Sequence, residues 1–502
     1  MIYLLGFLIP ILSFFLQSYP RFFNKFFGVD VWTRFLEIDL VRRNKHRIPS
    51  AIEEGFIIKG HFDYPPLFPW LLSFVPKKIL EQLQGFVSPF FDALHCLAIF
   101  FIAYQITNNV WIAMLAQFIY MSIPIIALEN SYLTARSFGY LSLTLALYPL
   151  VLYASSPQTI YLIVAYVFAT IIFLTHRFAT QSFLFAVIFF SIFDRTFFYL
   201  AVFLAGFLTA VLLTKGYYLK VLRGHWFNIY FWILNRPYRW AHQITGKSNA
   251  EGKRDIVGKI YALLGKLSPL TLIGLNVWLL SGFLFFYLVL INGHFPELQN
   301  PLYEKFALWI LFFYFFGILI LSVKYLMPIG EGQRYLEMAT APSAVLSSIL
   351  FFTLLHSVYG VLTLAVLVTL FLCNFGVIFI VQTKIVMTDQ TRSKTADMDV
   401  LIEYINKLKT KPRIVCIPHQ LTTMTLYNSQ AQVLVNADNK GLIYGDVMDV
   451  YPVLTKSMKE LTKKFNLDYL LLRESYASIE ELHLQKKNII FRSGDMLLVK
   501  LK

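Results

Sequence analysis

Long stretches without any Asp, Glu, Lys or Arg recur along the chain. They cover residues 2–20, 93–128, 137–176, 267–296, 306–323 and 338–383. A membrane-spanning helix needs about 20 apolar residues. Three of these six stretches are long enough for two spans each, so together the stretches predict nine spans. Two further apolar runs, 178–193 and 196–214, are separated by Asp194 and Arg195 and predict two more. The pattern therefore predicts an α-helical polytopic membrane protein with about eleven spans.

Three segments fall outside these stretches: a first loop of about 21–92, a basic connection of about 215–266, and residues 385–502. The last segment has the composition of a small soluble domain. Its short apolar runs predict strands, and two stretches with helical spacing predict helices. The predicted strands are 413–417, 432–435, 469–472 and 496–499, and the predicted helices are 397–409 and 453–465. We expect a transmembrane domain over 1–384 and a C-terminal soluble α/β domain over 385–502.

Composition supports a membrane protein, because 57% of the 502 residues are hydrophobic and only 15% are charged. Average soluble domains have roughly 45–50% and 25%. Three cysteines are too few for a disulfide framework. The net charge of +15 suggests anionic partners, and in a membrane these are lipid phosphates rather than nucleic acid. The alternative is that the basic residues only flank the spans.

Known phosphate-loop and metal motifs are missing from the sequence. It contains no Walker-type glycine-rich loop, no His-Glu-x-x-His and no Cys-x-x-Cys. Nucleotide hydrolysis is therefore not indicated. A divalent metal held by carboxylates such as Asp30 and Asp63 remains open.

The first loop begins with charges at helical spacing: Asp30, Arg34 and Glu37. Val31, Phe35 and Ile38 lie on an adjacent apolar face, so we expect an amphipathic helix near the membrane surface. A partly desolvated carboxylate there is suited to act as a general base, because desolvation raises its pKa towards neutrality. The alternative is that Asp30 only caps the start of the helix.

Further along the first loop, the sequence Asp63-Tyr64-Pro65-Pro66-Leu67 predicts a stiff turn, because two prolines fix φ and lack N–H donors. We expect Asp63 to cap a helix that re-enters the apolar layer at Leu67. Such stiffness helps to hold a preorganised site. The alternative is a capped turn with no chemistry.

Charges at the edges of the spans are costly unless they are paired or solvated. Glu129 and Arg136 bracket a short loop and are candidates to pair, and His176-Arg177 separates two apolar runs. Arg334-Tyr335 precedes the uncharged stretch 338–383. An arginine there is able to clamp a phosphate with two N–H bonds, although it is also able to snorkel or form a salt bridge. Counting spans puts all of these residues on the same membrane face as Asp30.

This arrangement resembles the GT-C superfamily of membrane glycosyltransferases, which use polyprenyl-phosphate-linked sugars. The likeness rests on Asp30 after the first span, the turn Tyr64–Leu67, the pair Arg334-Tyr335, many aromatic-rich spans and a small C-terminal α/β domain. It covers nearly the whole chain as architecture. It implies inverting transfer of a sugar to a hydroxyl of a glycan, lipid or protein acceptor.

The resemblance also implies roles for individual residues. Asp30 corresponds to the catalytic base and Arg334 to a lipid-phosphate ligand, joined here by Tyr335, Arg177 and His176. The supporting candidates are Glu37, Asp39, His61, Asp63, Glu129 and Arg136. This chain has a lone acid at position 30 where the family pattern has an acidic pair, so the choice among Asp30, Glu37 and Asp39 stays open.

A second hypothesis is a transporter or flippase for a lipid-linked or anionic solute. Eleven spans suit it, whereas a first loop of about 70 residues and a large terminal domain do not, and no two related halves are visible. The orientation rests on conflicting signals. The positive-inside rule places the two basic loops in the cytoplasm, but basic residues that bind phosphate are not topology signals. We expect the active site and the C-terminal domain to be extracytoplasmic.

Overall fold

The computed structural model describes residues 2–28, 30–49, 55–60, 62–130, 132–238, 241–247, 268–292, 295–323, 325–389, 393–435 and 444–502. By its internal contacts the chain divides into two compact units. The first unit comprises Met1–Lys25, Gln82–Tyr218 and Leu264–Thr388. The second comprises Phe26–Glu81, Leu219–Leu263 and Asp389–Lys502. The first loop is thus grouped with the C-terminal segment, and the boundary that composition places near residue 385 stays a prediction.

The first unit is built from helices. The α-helices in this part of the chain are Ile2–Leu5, Leu8–Ser18, Lys77–Thr107, which begins in the second unit, Val110–Met121, Pro124–Glu129, Arg136–Ser155, Thr159–Thr175, Arg177–Phe193, Phe198–Leu213, Ser268–Leu275, Leu280–Phe286, Pro301–Ser322, Gly332–Tyr335, Thr340–Leu355 and Gly360–Val381. Short 3-10 or π segments join several of them: Tyr19–Phe22, Val277–Leu279, Tyr287–Asn292, Pro296–Leu298, Met327–Ile329, Leu336–Ala339 and Gln382–Val386.

Five helices of the described chain are long and apolar enough to cross a membrane, or six if one bent pair forms a single span. The five are Lys77–Thr107, Arg136–Ser155, Pro301–Ser322, Gly332–Leu355 and Gly360–Lys384, and the bent pair is Phe198–Leu213 with Tyr217–Leu234. Four more apolar helices have 10–17 residues. Every uncharged stretch of the sequence contains helix, so the chain is an integral membrane protein. The count of eleven stays a prediction.

Small residues allow close helix packing in the first unit. On helix Thr340–Leu355, Ala344, Ser347 and Ser348 are fully buried. The Ser348 hydroxyl donates to the carbonyl of Val345 on its own helix, so burial leaves it satisfied. Small side chains let helix backbones approach each other, which is how packing stabilises helices where no water is available to be displaced.

A buried carboxylate links several helices of the first unit. Asp92 is 1% exposed and accepts hydrogen bonds from Gln17 Nε2 at 2.5 Å, the Tyr120 hydroxyl at 2.6 Å and Asn130 Nδ2 at 2.9 Å. The Tyr120 hydroxyl also lies 2.9 Å from Nδ1 of His95. Because a buried polar group is costly without partners, this network fixes the helices that supply its members.

The second unit combines helices with one mixed sheet. Its α-helices are Asp30–Arg43, Leu67–Ser73, Tyr217–Leu234, which begins in the first unit, Ala396–Asn406, Leu421–Asn428, Tyr444–Met448 and Met458–Phe465. Arg236–Tyr238 and Lys486–Asn488 are 3-10 turns. The strands are β1 Arg413–Ile417, β2 Gln432–Val433, β3 Tyr469–Arg473, β4 Ile489–Ser493 and β5 Met496–Lys500.

The strand order is β2-β1-β3-β5-β4, parallel from β2 to β3 and antiparallel from β3 to β4. The four predicted strands are confirmed, and β4 was missed. The second predicted helix begins at Met458, five residues later than expected, because Ser457 and Glu460 form a capping box there.

The first loop extends this sheet at β2. Phe56 forms a parallel bridge with Val433, and the Ile57 N–H donates to the Val433 carbonyl at 2.8 Å. Gly55, at φ +85°, accepts from the Val433 N–H at 2.8 Å. These backbone bonds explain why the first loop belongs to the same compact unit as the C-terminal segment.

Candidate functional site

Asp30 is the first residue of helix Asp30–Arg43 and is partly buried. The helix that the charge spacing predicts is confirmed. Its apolar residues Val31, Phe35 and Ile38 are at most 1% exposed. An acidic side chain in the first turn also interacts favourably with the positive end of the helix dipole. Both uses of Asp30, as a helix-start acid and as a partly desolvated base, are compatible with this placement.

The helix differs from the expected amphipathic surface helix, because its polar side is also buried. Glu37 and Asp39 are 6% and 9% exposed. Arg34 forms an ion pair with Glu37, and its guanidinium lies 3.9 Å from the centre of the Tyr64 ring. Buried charges need ion-pair partners. Here Arg34 and Glu37, one turn apart on the same helix, are partners of each other.

Asp39 also has cationic partners. Arg42 forms an ion pair with it, and Lys77 Nζ lies 3.2 Å from its Oδ2. Arg42 further donates to the carbonyls of Ser73 at 3.2 Å and Val75 at 2.8 Å. Asp39 and Arg42 therefore tie the first-loop helix to the end of helix Leu67–Ser73.

Asp63 is 5% exposed and does not cap helix Leu67–Ser73. The N-cap position is Pro66, which makes no side-chain cap hydrogen bond, so the predicted capping role of Asp63 is wrong. Three residues separate Asp63 from the first helical residue, too far for its carboxylate to act as the N-cap. Its neighbour is helix Tyr217–Leu234, where a Cβ added at Gly224 would lie 2.6 Å from Cγ of Asp63.

The first-loop helix packs on the C-terminal part of the second unit through aromatic rings. Tyr427 lies 5.1 Å from Phe35 and 5.8 Å from Trp32, measured between ring centroids. Its hydroxyl donates to Glu81 at 2.6 Å. Burial and the hydrogen bond to Glu81 raise the pKa of Tyr427 far above its usual value, so the phenol stays neutral.

A second cluster of candidate residues lies in the first unit around Glu337. This carboxylate is 1% exposed, and its Oε1 lies 3.8 Å from Nη1 of Arg136. Arg334 and Tyr140 are also among its electrostatic neighbours. Sequence reasoning did not assign a role to Glu337. The available signal was an acid immediately before the 46 uncharged residues 338–383, where an unpaired charge would be costly.

Arg334 lies on the short helix Gly332–Tyr335. Its Nε lies 2.8 Å from Oε2 of Glu331, and its side chain is 38% exposed. Within the described part of the chain, this is the one hydrogen-bonded or ion-paired contact of the guanidinium. The Glu331 contact orients the planar group, and both Nη atoms are left to bind a ligand with two parallel N–H bonds.

Tyr335 is fully buried beside Arg334. Its hydroxyl donates to the Ile329 carbonyl at 3.0 Å and accepts from Gln181 Nε2 at 2.8 Å, and its ring packs against Phe178 at 4.6 Å. These contacts fix the segment that carries Arg334. Gln181 is a further residue that sequence reasoning missed, since an isolated glutamine in an apolar helix gives no specific signal.

His176 and Arg177 stand at the start of helix Arg177–Phe193. His176 is the N-cap residue, and its Nδ1 accepts from the backbone N–H of Ala179 at 3.2 Å. In the neutral ring the proton is then on Nε2. Gly139 allows the close approach, since a Cβ there would lie 2.7 Å from Cβ of His176. Arg177 is partly buried.

The structure thus brings Arg136, His176, Arg334 and Tyr335 into one unit, together with Arg177. Asp30, Glu37, Asp39 and Asp63 lie in the other unit. The predicted convergence of both sets on one membrane face stays a prediction. His61 and the side chain of Glu129 lie outside the described residues, so the predicted pairing of Glu129 with Arg136 is likewise untested.

Among the residues that the structure describes, no group of three or more His, Cys, Asp or Glu side chains is placed to hold a metal ion. The predicted divalent metal held by carboxylates such as Asp30 and Asp63 stays a prediction.

With this geometry in place, the class of protein can be stated: the chain has the fold of the GT-C membrane glycosyltransferases. No family model matches the chain, and no significant match is found among curated proteins. The similar solved structures include the apo oligosaccharyltransferase of Archaeoglobus fulgidus, with 13% identity and a TM-score of 0.59 over 97% of this chain and 72% of that one.

Two further structures of the oligosaccharyltransferase of Archaeoglobus fulgidus are similar. One, named AglB, is in complex with an inhibitory peptide and a dolichol-phosphate, with 11% identity and a TM-score of 0.57 over 95% of this chain and 69% of that one. The other is in complex with Zn and sulfate, with 13% identity and a TM-score of 0.56 over 97% of this chain and 71% of that one. At these identities the likeness concerns the fold.

Proposed function

We propose that the protein is an inverting glycosyltransferase that moves a sugar from a polyprenyl-phosphate donor to a hydroxyl acceptor at the membrane surface. The observation that carries the proposal is Arg334, a partly exposed guanidinium oriented by Glu331 at 2.8 Å, with both Nη atoms available. This is the geometry that binds a phosphate bidentately. The dolichol-phosphate bound by the structurally similar AglB supports the choice of a lipid phosphate as ligand.

In the proposed reaction, Asp30 takes the proton from the acceptor hydroxyl as its oxygen attacks the anomeric carbon. The attack comes from the face opposite the phosphate, so the C–O bond to the lipid phosphate breaks with inversion. Asp30 is assigned as the base because the resemblance to the GT-C enzymes points to it, and because it is a partly buried acid at the start of helix Asp30–Arg43.

The departing lipid phosphate gains negative charge and needs cations more than an acid. Stabilising such charge in a water-poor site is commonly the largest catalytic contribution. We assign this role to Arg334, with Arg177 and His176 as further ligands. Tyr335 is assigned a positioning role, because its hydroxyl already holds the Ile329 carbonyl and Gln181.

The experiment compares Asp30→Asn with Asp39→Asn in purified protein. Transfer is measured from synthetic polyprenyl-phosphate hexose and pentose donors, and lipid binding is measured by native mass spectrometry. Loss of a general base typically costs 10²–10⁴-fold in rate, so Asp30→Asn should lose transfer while it keeps the lipid. Asp39→Asn removes an ion-paired acid of the same helix and should lower stability more than turnover. Full transfer by Asp30→Asn would refute the base, and absence of transfer by the wild-type chain would favour a transporter or flippase.

The phosphate ligand is tested separately with Arg334→Lys and Arg334→Gln. Lysine keeps the charge but lacks the planar fork, so it should recover only part of the binding that glutamine loses. Binding of polyprenyl phosphate that is equal in all three proteins would remove Arg334 from the site. Mass spectrometry of lipid that co-purifies with the wild-type chain identifies the polyprenyl length.

We further propose that the active site and the C-terminal domain face the extracytoplasmic side. In support, two of the basic residues of the first loop, Arg34 and Arg42, are held in ion pairs with Glu37 and Asp39. Arginines that hold a fold together are weak topology signals, so the positive-inside rule loses part of its weight here. Labelling of Lys502→Cys with a membrane-impermeant maleimide in sealed cells tests the orientation, and protection of this residue would reverse it.

A further inference from the structure

A basic cavity lies in the C-terminal part of the second unit, among residues to which the proposed reaction gives no role. Its volume is about 770 Å³. It is lined by residues of the helix Met458–Phe465 and of the segment 482–488 that precedes β4. Leu501 and Lys502, which follow β5, complete the lining. The cavity therefore belongs to a single compact unit and needs no other part of the chain.

Among the described residues, the ionisable side chains that line this cavity are three lysines and one histidine, with no aspartate or glutamate. The lysines are Lys459, Lys463 and Lys502. Lys502 Nζ lies 2.9 Å from Oδ1 of Asp468, so its charge is partly balanced. Lys459 and Lys463 have no ion pair or side-chain hydrogen bond within the described part of the chain. The cavity thus presents uncompensated positive charge.

The two uncompensated lysines are one helical turn apart. Like charges at i and i+4 destabilise a helix by about 0.2–0.5 kcal/mol. Lys464, the third lysine of this helix, instead forms ion pairs with Asp446 and Asp449 at 2.7 Å each. A bound anion would relieve this repulsion, for which the described residues offer no compensating contact.

The remaining walls combine an apolar floor with neutral polar groups. Met458 and Leu482 are 3% and 4% exposed and form part of the floor. Thr462, Gln485 and Asn488 add a hydroxyl and two amides. An apolar floor suits the C–H face of a sugar ring, amides suit its hydroxyl groups, and lysines suit a carboxylate or phosphate.

We propose that this cavity binds an anionic saccharide, a sugar that carries a carboxylate or a phosphate. It is a second binding site, separate in its residues from Asp30 and Arg334, and it does not depend on the proposed transfer reaction. Charge, amides and apolar floor together select the ligand. An inorganic anion would use only the lysines, and a neutral sugar only the floor and the amides.

The test uses the full chain in detergent and isothermal titration with four probes: trigalacturonate, glucose 6-phosphate, neutral maltotriose and inorganic phosphate. We expect at least one anionic sugar to bind with a dissociation constant at least tenfold lower than those of maltotriose and inorganic phosphate. The variant Lys459→Gln/Lys463→Gln should weaken it at least tenfold. The control Lys456→Gln/Lys487→Gln removes two exposed lysines outside the cavity and should change it less than twofold.

Each other outcome overturns the proposal. Failure of both anionic sugars to bind excludes the saccharide site, and inorganic phosphate that binds as tightly as they do indicates a simple anion site. If vesicles containing anionic lipid bind through Lys459 and Lys463 while the sugars do not, the surface recognises lipid headgroups.

Two controls separate binding from folding. Both double variants should unfold at the wild-type midpoint temperature, which shows that weakened binding does not come from misfolding. The single variant Lys463→Arg keeps the charge and should retain binding.

Discussion

Replacing Glu337 with glutamine removes the negative charge of a buried ion pair while it keeps the side-chain size. The pair joins Glu337 Oε1 to Arg136 Nη1 at 3.8 Å, with the two side chains 1% and 5% exposed. At an effective dielectric constant of about 20, this separation corresponds to about 4 kcal/mol of attraction. Leaving one partner of a buried pair uncompensated typically costs about 3–5 kcal/mol, so we expect Glu337→Gln to lower the unfolding free energy by about that amount.

The assay is unfolding in mixed micelles of dodecyl maltoside and SDS, followed by tryptophan fluorescence. A double-mutant cycle with Arg136→Met isolates the pair. Since removing both charges is often nearly neutral, Arg136→Met/Glu337→Gln should be clearly more stable than the sum of the single losses predicts. Lys464→Gln serves as the control, because it removes two ion pairs of a half-exposed lysine and should leave the midpoint almost unchanged. Additive losses in the cycle would refute the pairing.

Three further predictions concern other contacts. Gly139→Ala should cost about 1–3 kcal/mol and lower lipid-phosphate binding, because its Cβ would lie 2.7 Å from Cβ of His176. Tyr120→Phe should cost about 1–3 kcal/mol in the same unfolding assay, because it removes the 2.6 Å hydrogen bond to the buried Asp92. The backbone N–H of Ser457 lowers the pKa of Glu460, so the cap stabilises above the unfolded-state pKa and is lost as the pH falls through the folded value. Unfolding of Glu460→Gln should therefore depend less on pH in this acidic range.

Each of these has a matched control. Gly376→Ala places a methyl group where no atom lies within 4 Å and should stabilise its helix by about 0.5–1 kcal/mol. Tyr359→Phe alters a 48% exposed tyrosine and should have little effect on stability. Glu403→Gln removes an exposed carboxylate of the helix Ala396–Asn406 and should leave the acid profile unchanged. A control that behaves like its test variant would contradict the corresponding contact.

The positions of helices and strands were largely predictable because they depend on local patterns. Runs without charge predict helices, and the observed breaks fall where two spans share one run, at 108–109, 156–158 and 356–359. Short apolar runs such as 413–417 predict strands, as β1 shows. The edge strand β4 was missed because its residues are only partly buried, which weakens the apolar signal.

The partners of the charged residues were less predictable, since a sequence does not reveal which distant segments meet. Arg136 forms an ion pair with Glu337, which lies 201 positions later in the chain. No spacing of residues in the sequence indicates that these two segments meet. Asp63 was expected to cap the next helix, but the rigid Pro65-Pro66 delays the first helical turn until Leu67. The attachment of the first loop to β2 depends on backbone hydrogen bonds, which almost any side chain permits.

The sequence by itself determined that the protein lies in a membrane, which segments form helices and strands, and which few charges needed an explanation. These properties follow from transfer free energies and periodicity, which are local and additive along the chain. Only the tertiary structure decided that Glu37 and Asp39 are held by arginines, that the Tyr335 hydroxyl faces inward, and that Arg334 keeps its Nη atoms available. The physical reason is that pairing and burial depend on distances in space, and folding alone sets these distances.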